Sequence, residues 1–228
     1  MAIKIMLDPG HGGTEQGATA NGYIEKDLNL KLSLLLKYEL QRCGFTVYMT
    51  RETDINVDLE LRGKLATQNQ CDCLLSVHFN AMGRANVAKG FEAIYSFQSE
   101  SAKWIALCIS KQAVGLGLYD RGVWSKESDN YKGHNWYGVL RSSEPCPGVI
   151  LEGLFLDNEN DVRFLADPGF LKKLAVAYCK GVCAAYSIAY VPEPVSAPVK
   201  HDPAAGQKEI LNQVKTKMQE IISLLEKL

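Results

Sequence analysis

The chain has 228 residues, 46% of them hydrophobic, enough for one sizeable core and a small appendage. Its 25 basic and 26 acidic residues nearly cancel, which gives no support for a nucleic-acid surface or a polybasic membrane surface. No run approaches the roughly 18 apolar residues of a membrane-spanning helix, so no membrane insertion is expected.

The N-terminus, Met-Ala-Ile-Lys-Ile-Met-Leu, enters a strand at once, without a long apolar stretch or a small-residue cleavage site. The expectation is therefore a protein made in the cytoplasm without a signal peptide. Ile3–Leu7 reads as the first strand. Leu28, Leu32, Leu35 and Leu36 then recur at helical spacing until Gly44 stops the helix. Thr46–Met49 is a second strand. Asp58–Asn69 is a helix with Leu61, Leu65 and Ala66 on one face. Cys73–Val77 is wholly apolar and fit for burial on both faces of a sheet. A strand over Gly90–Phe97 and a helix over Ala102–Val114 follow, the helix turning Trp104, Ile105 and Cys108 inward. Short strands are expected near Val123 and over Tyr137–Leu140, and another buried strand over Gly148–Leu151. Helices over Glu159–Leu165 and Phe170–Tyr186 close the domain. This alternation predicts an α/β domain over residues 1–189, with a mostly parallel or mixed sheet covered by helices.

Composition changes at residue 190. Residues 190–206, "YVPEPVSAPVKHDPAAG", read as a proline-rich, semi-extended linker. Over residues 207–228, Leu211, Val214, Met218, Ile221, Leu225 and Leu228 step by three and four, a heptad seam on an isolated C-terminal helix. That seam is expected to join copies of the chain into a homo-oligomer or to pack back on the domain, with a foreign partner or a longer domain cut short as the remaining alternatives. The seven cysteines, at 43, 71, 73, 108, 146, 179 and 183, include no CxxC pair and lie mostly in apolar runs. They read as buried thiols rather than as a disulfide framework or a cysteine-ligated zinc.

Three polar residues end predicted strands: His11 soon after Leu7, His78 in "CLLSVH" and Glu152 in "GVILE". In open α/β sheets ligands bind beyond the carboxyl ends of the strands. Glu25, opening the first long helix, can fold back to the same edge. Two imidazoles and one carboxylate form a zinc ligand set with an open position for water, and a second carboxylate can serve as general base. Taken singly each residue has a plainer reading. "PGHGG" can be an ordinary turn, His78 a satisfied core histidine, and Glu152 the partner of Arg141. A phosphate cradle is disfavoured, because neither GxGxxG nor a following lysine-serine or lysine-threonine pair is present. A glycan hydrolase using Glu25 and Glu152 would leave both histidines unexplained.

The blocks "LDPGHGGTEQGA", Glu25, "VYMTRETD", "LELRGKLA", "LLSVHFNA" with "KGFEAIY", and "YGVLRSSEPCPGVILEGLFLDNENDVRFL" occur in that order over about residues 2–187. In them the chain resembles the zinc-dependent N-acetylmuramoyl-L-alanine amidases of the Amidase_3 class, the catalytic domain of bacterial autolysins and phage endolysins. The resemblance implies a twisted, mostly parallel six-stranded sheet. It also implies hydrolysis, in peptidoglycan, of the amide between N-acetylmuramic acid and L-alanine. By position it makes His11, Glu25 and His78 the ligands of one Zn2+ and Glu152 the catalytic glutamate. Asn80 and Arg141 would line the cleft, and Arg51 and Arg62 would be structural. His134, in the aromatic loop with Tyr131, Trp136 and Tyr137, and His201, in the linker, match no ligand position. No autoinhibitory helix is expected between His78 and Glu152, and no wall-binding module is expected after the domain. The reading is a peptidoglycan amidase, a phage endolysin that reaches the cell wall through a holin-type pore, with a bacterial autolysin of the same chemistry as the alternative. A wall-binding protein that kept the fold without the chemistry is disfavoured by the intact set of four.

Overall fold

The computed structural model describes residues 2–194. The chain divides into two units, Met1–Val191 and Pro192–Leu228. Most of the linker at 190–206, including His201, and the whole heptad helix at 207–228 lie outside the described residues.

The first unit is built in the order β1 (Lys4–Pro9), β2 (Thr19–Ala20), β3 (Tyr23–Ile24), α1 (Glu25–Arg42), β4 (Thr46–Met49), α2 (Leu59–Gln68) and β5 (Cys73–Asn80). It continues through β6 (Phe91–Tyr95), α3 (Glu100–Val114), β7 (Asp120–Trp124), α4 (Gly138–Ser142), β8 (Gly148–Phe155), α5 (Glu159–Leu165) and α6 (Phe170–Ala185). A six-stranded sheet has the order β4-β1-β5-β8-β6-β7, and β2 pairs with β3 in a small hairpin. All neighbours in the large sheet run parallel except β6 and β8. This is the mixed, mostly parallel sheet that the alternation predicts. The interval between His78 and Glu152 is filled by β6, α3, β7 and α4, all parts of this framework.

Strand periodicity divides the side chains between two unequal layers. Ile5, Leu7, Cys73, Leu75, Val77, Phe91, Ala93, Val149 and Leu151 face the larger core, under α1, α3 and α6. Met6, Leu74, Ile94 and Ile150 face the other way, against Ala66 of α2 and Val139 and Leu140 of α4. The same alternation continues toward the carboxyl ends of the strands. It puts Asp8, Ser76, His78, Glu92 and Glu152 on the thinly covered face, where α2 and α4 are short.

Three expectations are corrected. Tyr137–Leu140 is no strand: Tyr137 is the extended N-cap of α4, whose Val139 and Leu140 are buried against the sheet. Trp104 is 56% exposed, because α3 buries Ala102, Ile105, Ala106, Ile109 and Ala113 against its neighbours instead. Leu61 is 43% exposed, since α2 turns Arg62, Gly63 and Ala66 inward. All seven cysteines are free thiols, and only Cys108 is other than buried.

A buried ionic network sits beneath the β1 end. Asp8 accepts from Thr50 Oγ1 (2.7 Å), Ser76 Oγ (2.7 Å) and Arg62 Nη1 (2.8 Å). Every oxygen of this buried carboxylate is thus engaged, as a charge taken out of water requires. Among the described residues no helix is long and apolar enough to cross a membrane.

Candidate metal and catalytic centre

The loop after β1 carries His11, and its shape is fixed from below by two guanidinium groups. Arg51 donates through Nε to the Pro9 carbonyl and through Nη2 to the Gly10 carbonyl, both at 3.0 Å. Arg62 donates to the Pro9 carbonyl and, through Nη2, to the His11 carbonyl, both at 2.8 Å. These bonds hold His11 at φ 57°, a left-handed conformation costing about 1 kcal/mol in a residue with a Cβ. Arg51 and Arg62 are therefore braces under the loop.

Glu25 opens α1 from beneath the same loop. It is buried, and each of its oxygens meets an imidazole. Oε2 lies 3.2 Å from His11 Nε2, and Oε1 lies 2.9 Å from His78 Nδ1. Oε2 also accepts from the Ala18 amide at 2.8 Å, and the Asn29 amide group bridges Oε1 (3.3 Å) and the Gly10 carbonyl (3.1 Å). The two imidazole rings stand edge to face at 5.2 Å. One donor atom from each of His11, Glu25 and His78 lies within 4.8 Å of the others.

This donor set fits a zinc-type cation. Two nitrogens and one carboxylate oxygen converge from three chain segments, partly open to solvent through the two imidazoles. The surrounding backbone leaves no spare volume. A Cβ on Gly10 would enter the His78 ring, and one on Gly17, at φ 68°, would strike Glu25 Oε2 and the His11 ring. Gly10 and Gly17 thus allow the close approach of His78, Glu25 and His11.

Burial works to raise the Glu25 carboxyl, but hydrogen bonds and charge from His11 and His78 outweigh it and hold Glu25 well below the usual carboxylate range. Burial likewise works to lower His78, and is overcome by the Glu25 hydrogen bond and the Glu152 and Glu25 charges, so that its pKa rises to about 9. In the bare protein this cluster joins an ionised Glu25 to a His78 imidazole that takes up a proton readily. A cation would replace that proton.

Glu152 reaches the same place by strand register. His78 on β5 is the Cα partner of Glu152 on β8, and Glu152 is in turn the partner of Glu92 on β6. The three form a row across the sheet. Glu152 Oε2 is buried without a hydrogen-bond partner. Burial pushes its carboxyl up to about 7, the His78 charge opposes this, and the Glu25 and Glu92 charges add to it. A carboxyl with a free oxygen and such a pKa is suited to exchanging a proton near neutral pH.

The remaining candidates act at one remove. Asn80 donates to Glu92 Oε1 at 2.8 Å. Arg141 does not pair with Glu152: its Nη1 donates to the Asn135 (2.8 Å) and Trp136 (3.1 Å) carbonyls, and its guanidinium lies 4.7 Å from the Tyr131 ring. It orders the aromatic loop. In that loop His134 Nδ1 meets Glu144 Oε2 at 2.6 Å, while Tyr137 lies between Trp124 and Trp136. Burial, with the Glu152 and Glu92 charges, pushes the Tyr137 hydroxyl up to about 12.

Sequence reasoning missed Glu92, Asp8 and Asn29. Glu92 and Asp8 carry a readable signal, since each is the polar step of an otherwise apolar strand, in phase with His78 and Glu152. Asn29 has only its spacing, one helical turn after Glu25.

The profile of a family described as N-acetylmuramoyl-L-alanine amidase matches residues 5–184. The chain is 32% identical over 221 residues to a protein named Endolysin from Bacillus phage SPP1, covering 92% of this chain and 76% of that one. It is 31% identical over 188 residues to the N-acetylmuramoyl-L-alanine amidase CwlM of Bacillus licheniformis, covering 82% of this chain and 70% of the relative. The crystal structure of an N-acetylmuramoyl-L-alanine amidase from Clostridium difficile 630 superposes with a TM-score of 0.73 at 28% identity, covering 82% of this chain and 97% of the other.

Proposed function

The chain belongs to the N-acetylmuramoyl-L-alanine amidase family, and from that premise we propose that it is a zinc-dependent endolysin whose catalytic base is Glu152. The protein is an amidase of peptidoglycan. The bond cleaved joins the lactyl group of N-acetylmuramic acid to L-alanine. The observation that carries the mechanism is the row His78–Glu152, with an unpartnered carboxylate oxygen beside a three-residue donor set.

In this reading His11, Glu25 and His78 hold one Zn2+. Zinc in a three-ligand site polarises a carbonyl and brings the pKa of coordinated water to about 7. Glu25 fixes both imidazoles, and Arg51 and Arg62 fix the loop that carries one of them. Glu152 Oε2 takes the proton of the attacking water and returns it to the leaving amine of L-alanine, so one carboxyl serves as base and then as acid. Asn80 acts through Glu92, and Arg141 orders the loop in which Trp136 and Tyr137 offer flat faces beside the site. Glu25 is engaged at both oxygens, which disfavours its use as the second carboxylate of a glycan hydrolase.

The endolysin role is supported by the reach of the match to the phage protein. At 92% of this chain it extends past Val191 into the C-terminal unit, whereas the match to CwlM covers 82%. An autolysin of the same chemistry is the second reading, favoured by the amidase relative itself. As an endolysin the protein would reach the wall through a partner pore. Glu152→Ala should keep its zinc and lose hydrolysis, while His78→Ala should lose both. Full zinc occupancy in His78→Ala contradicts the ligand assignment, and a wild-type rate in Glu152→Ala contradicts the base.

A further inference from the structure

The buried thiols are not scattered. Cys43 caps the C-terminus of α1, and Cys179 and Cys183 lie one turn apart on α6, where that helix packs beside α1. Cys43 Sγ is 3.7 Å from Cys179 Sγ, Cys179 Sγ is 4.0 Å from Cys183 Sγ, and all three sulfurs lie within 4.8 Å of one another. All three residues are buried, with Cys179 completely so. Glu25, in the amidase site, is at the other end of α1, about 27 Å away at 1.5 Å per residue.

We propose that Cys43, Cys179 and Cys183 form a second metal site, which binds a thiophilic dication of the zinc class through three thiolates. Three observations support it. The first is spacing. Sulfurs about 2.3 Å from a tetrahedral ion stand about 3.8 Å apart, and two of the three sulfur pairs, at 3.7 and 4.0 Å, are already close to that separation.

The second is charge. The buried Glu39 carboxylate is shared by Arg42 and Lys172. Arg42 also donates to the Tyr190 hydroxyl at 3.0 Å, yet its Nε and Nη1 are buried without an acceptor. Three thiolates with a dication carry one net negative charge, beside the Arg42 guanidinium that precedes Cys43 in the chain. A monovalent ion would leave a second negative charge buried and unmatched.

The third is the ligand set. Among the described residues no imidazole or carboxylate belongs to the sulfur group, which selects soft ions over magnesium or calcium. The neighbouring backbone belongs to the chain as it leaves the domain. The Val191 amide donates to Cys43 Sγ at 3.4 Å, and the Val191 carbonyl oxygen lies 4.0 Å from it. A metal here would clamp the end of α1, the last turns of α6 and the exit of the chain toward its C-terminal unit. It would serve stability rather than hydrolysis.

Cadmium is the probe, since its thiolate complexes absorb in the ultraviolet and carboxylate-imidazole sites do not. The full chain, reduced and stripped of metal, is titrated with Cd2+ alone. The wild type should take up two equivalents, one of them with the thiolate-to-metal absorption. His78→Ala should take up one, with the absorption intact. Cys179→Ala and the milder Cys43→Ser should also take up one, without the absorption, and the equivalent they retain shows that they are folded. Uptake of a single equivalent by the wild type, or survival of the absorption in both cysteine variants, overturns the site.

Discussion

Glu92 and Glu152 are Cα partners across the antiparallel pair β6–β8, and the two carboxylates are treated very differently by their surroundings. Glu92 is satisfied by Asn80 at 2.8 Å and by Arg121 and Trp124 at 3.2 Å each. Glu152 keeps Oε2 unpartnered, and burial, aided by the Glu92 charge, raises it to about 7. Two neighbouring carboxylates in unequal environments separate into a fixed charge and a proton carrier. Removing the fixed charge should ease ionisation of the carrier. In Glu92→Gln the acidic limb of kcat/KM against pH should therefore move to lower pH. A limb that stays in place, measured over the acid and neutral range, separates Glu92 from Glu152.

The same burial makes Glu152 a liability for the metal-free fold. Its folded pKa of about 7 lies above the ordinary 4.5, so the protonated form is the one that the fold favours. The stability it contributes is complete below pH 4.5 and is lost as pH rises through about 7. At 1.36 kcal/mol per pKa unit the loss approaches about 3 kcal/mol. Glu152→Gln lacks this titration. Urea unfolding of the metal-free proteins should show the variant gaining on the wild type between pH 4.5 and 8 by up to that amount. Parallel stability curves would mean that Glu152 is not raised.

Gly17 tests the packing around the ligands. At φ 68° an alanine is strained, and its Cβ would meet both Glu25 Oε2 and the His11 ring. Gly17→Ala should fold yet bind zinc at least about tenfold more weakly, a loss of roughly 1.4 kcal/mol or more. Competition against a chromophoric chelator measures this, and an unchanged affinity would remove the close-approach argument.

Three of the four central residues, His11, His78 and Glu152, were legible because they follow or break an apolar strand, and Glu25 because it opens a helix at the same edge. A polar group there is costly unless it has work or a partner. What the sequence concealed is mostly a matter of face. Trp104 and Leu61 are the bulky residues of their helices, but the inward faces of α3 and α2 carry alanine, glycine and arginine. On α3 a wheel read by hydrophobic size points the wrong way where helices pack closely through alanines. On α2 the inward arginine answers the buried Asp8. Tyr137–Leu140 is too short for either period to decide. The meeting of Cys43 with Cys179 and Cys183 spans 136 residues, and no local pattern announces it.

Arg62 joins the network under β1 to the His11 loop, since it bonds both Asp8 and the His11 carbonyl. Arg62→Ala leaves a buried carboxylate without its counter-ion. Unfolding free energy should fall by about 3–5 kcal/mol, with weaker zinc binding in whatever protein remains folded. A loss below about 1 kcal/mol, the worth of an exposed pair, would show that Asp8 is not held by this arginine.

The most direct test of the account is the chemistry of the ends produced. Purified peptidoglycan is digested by the zinc-loaded protein, by the chelated protein and by Glu152→Ala, and new alanine amino groups are counted against new reducing sugar ends. The account predicts new alanine amino groups from the zinc-loaded wild type alone, with no rise in reducing ends. Reducing ends without alanine amino groups, or undiminished release by the chelated protein, would contradict it.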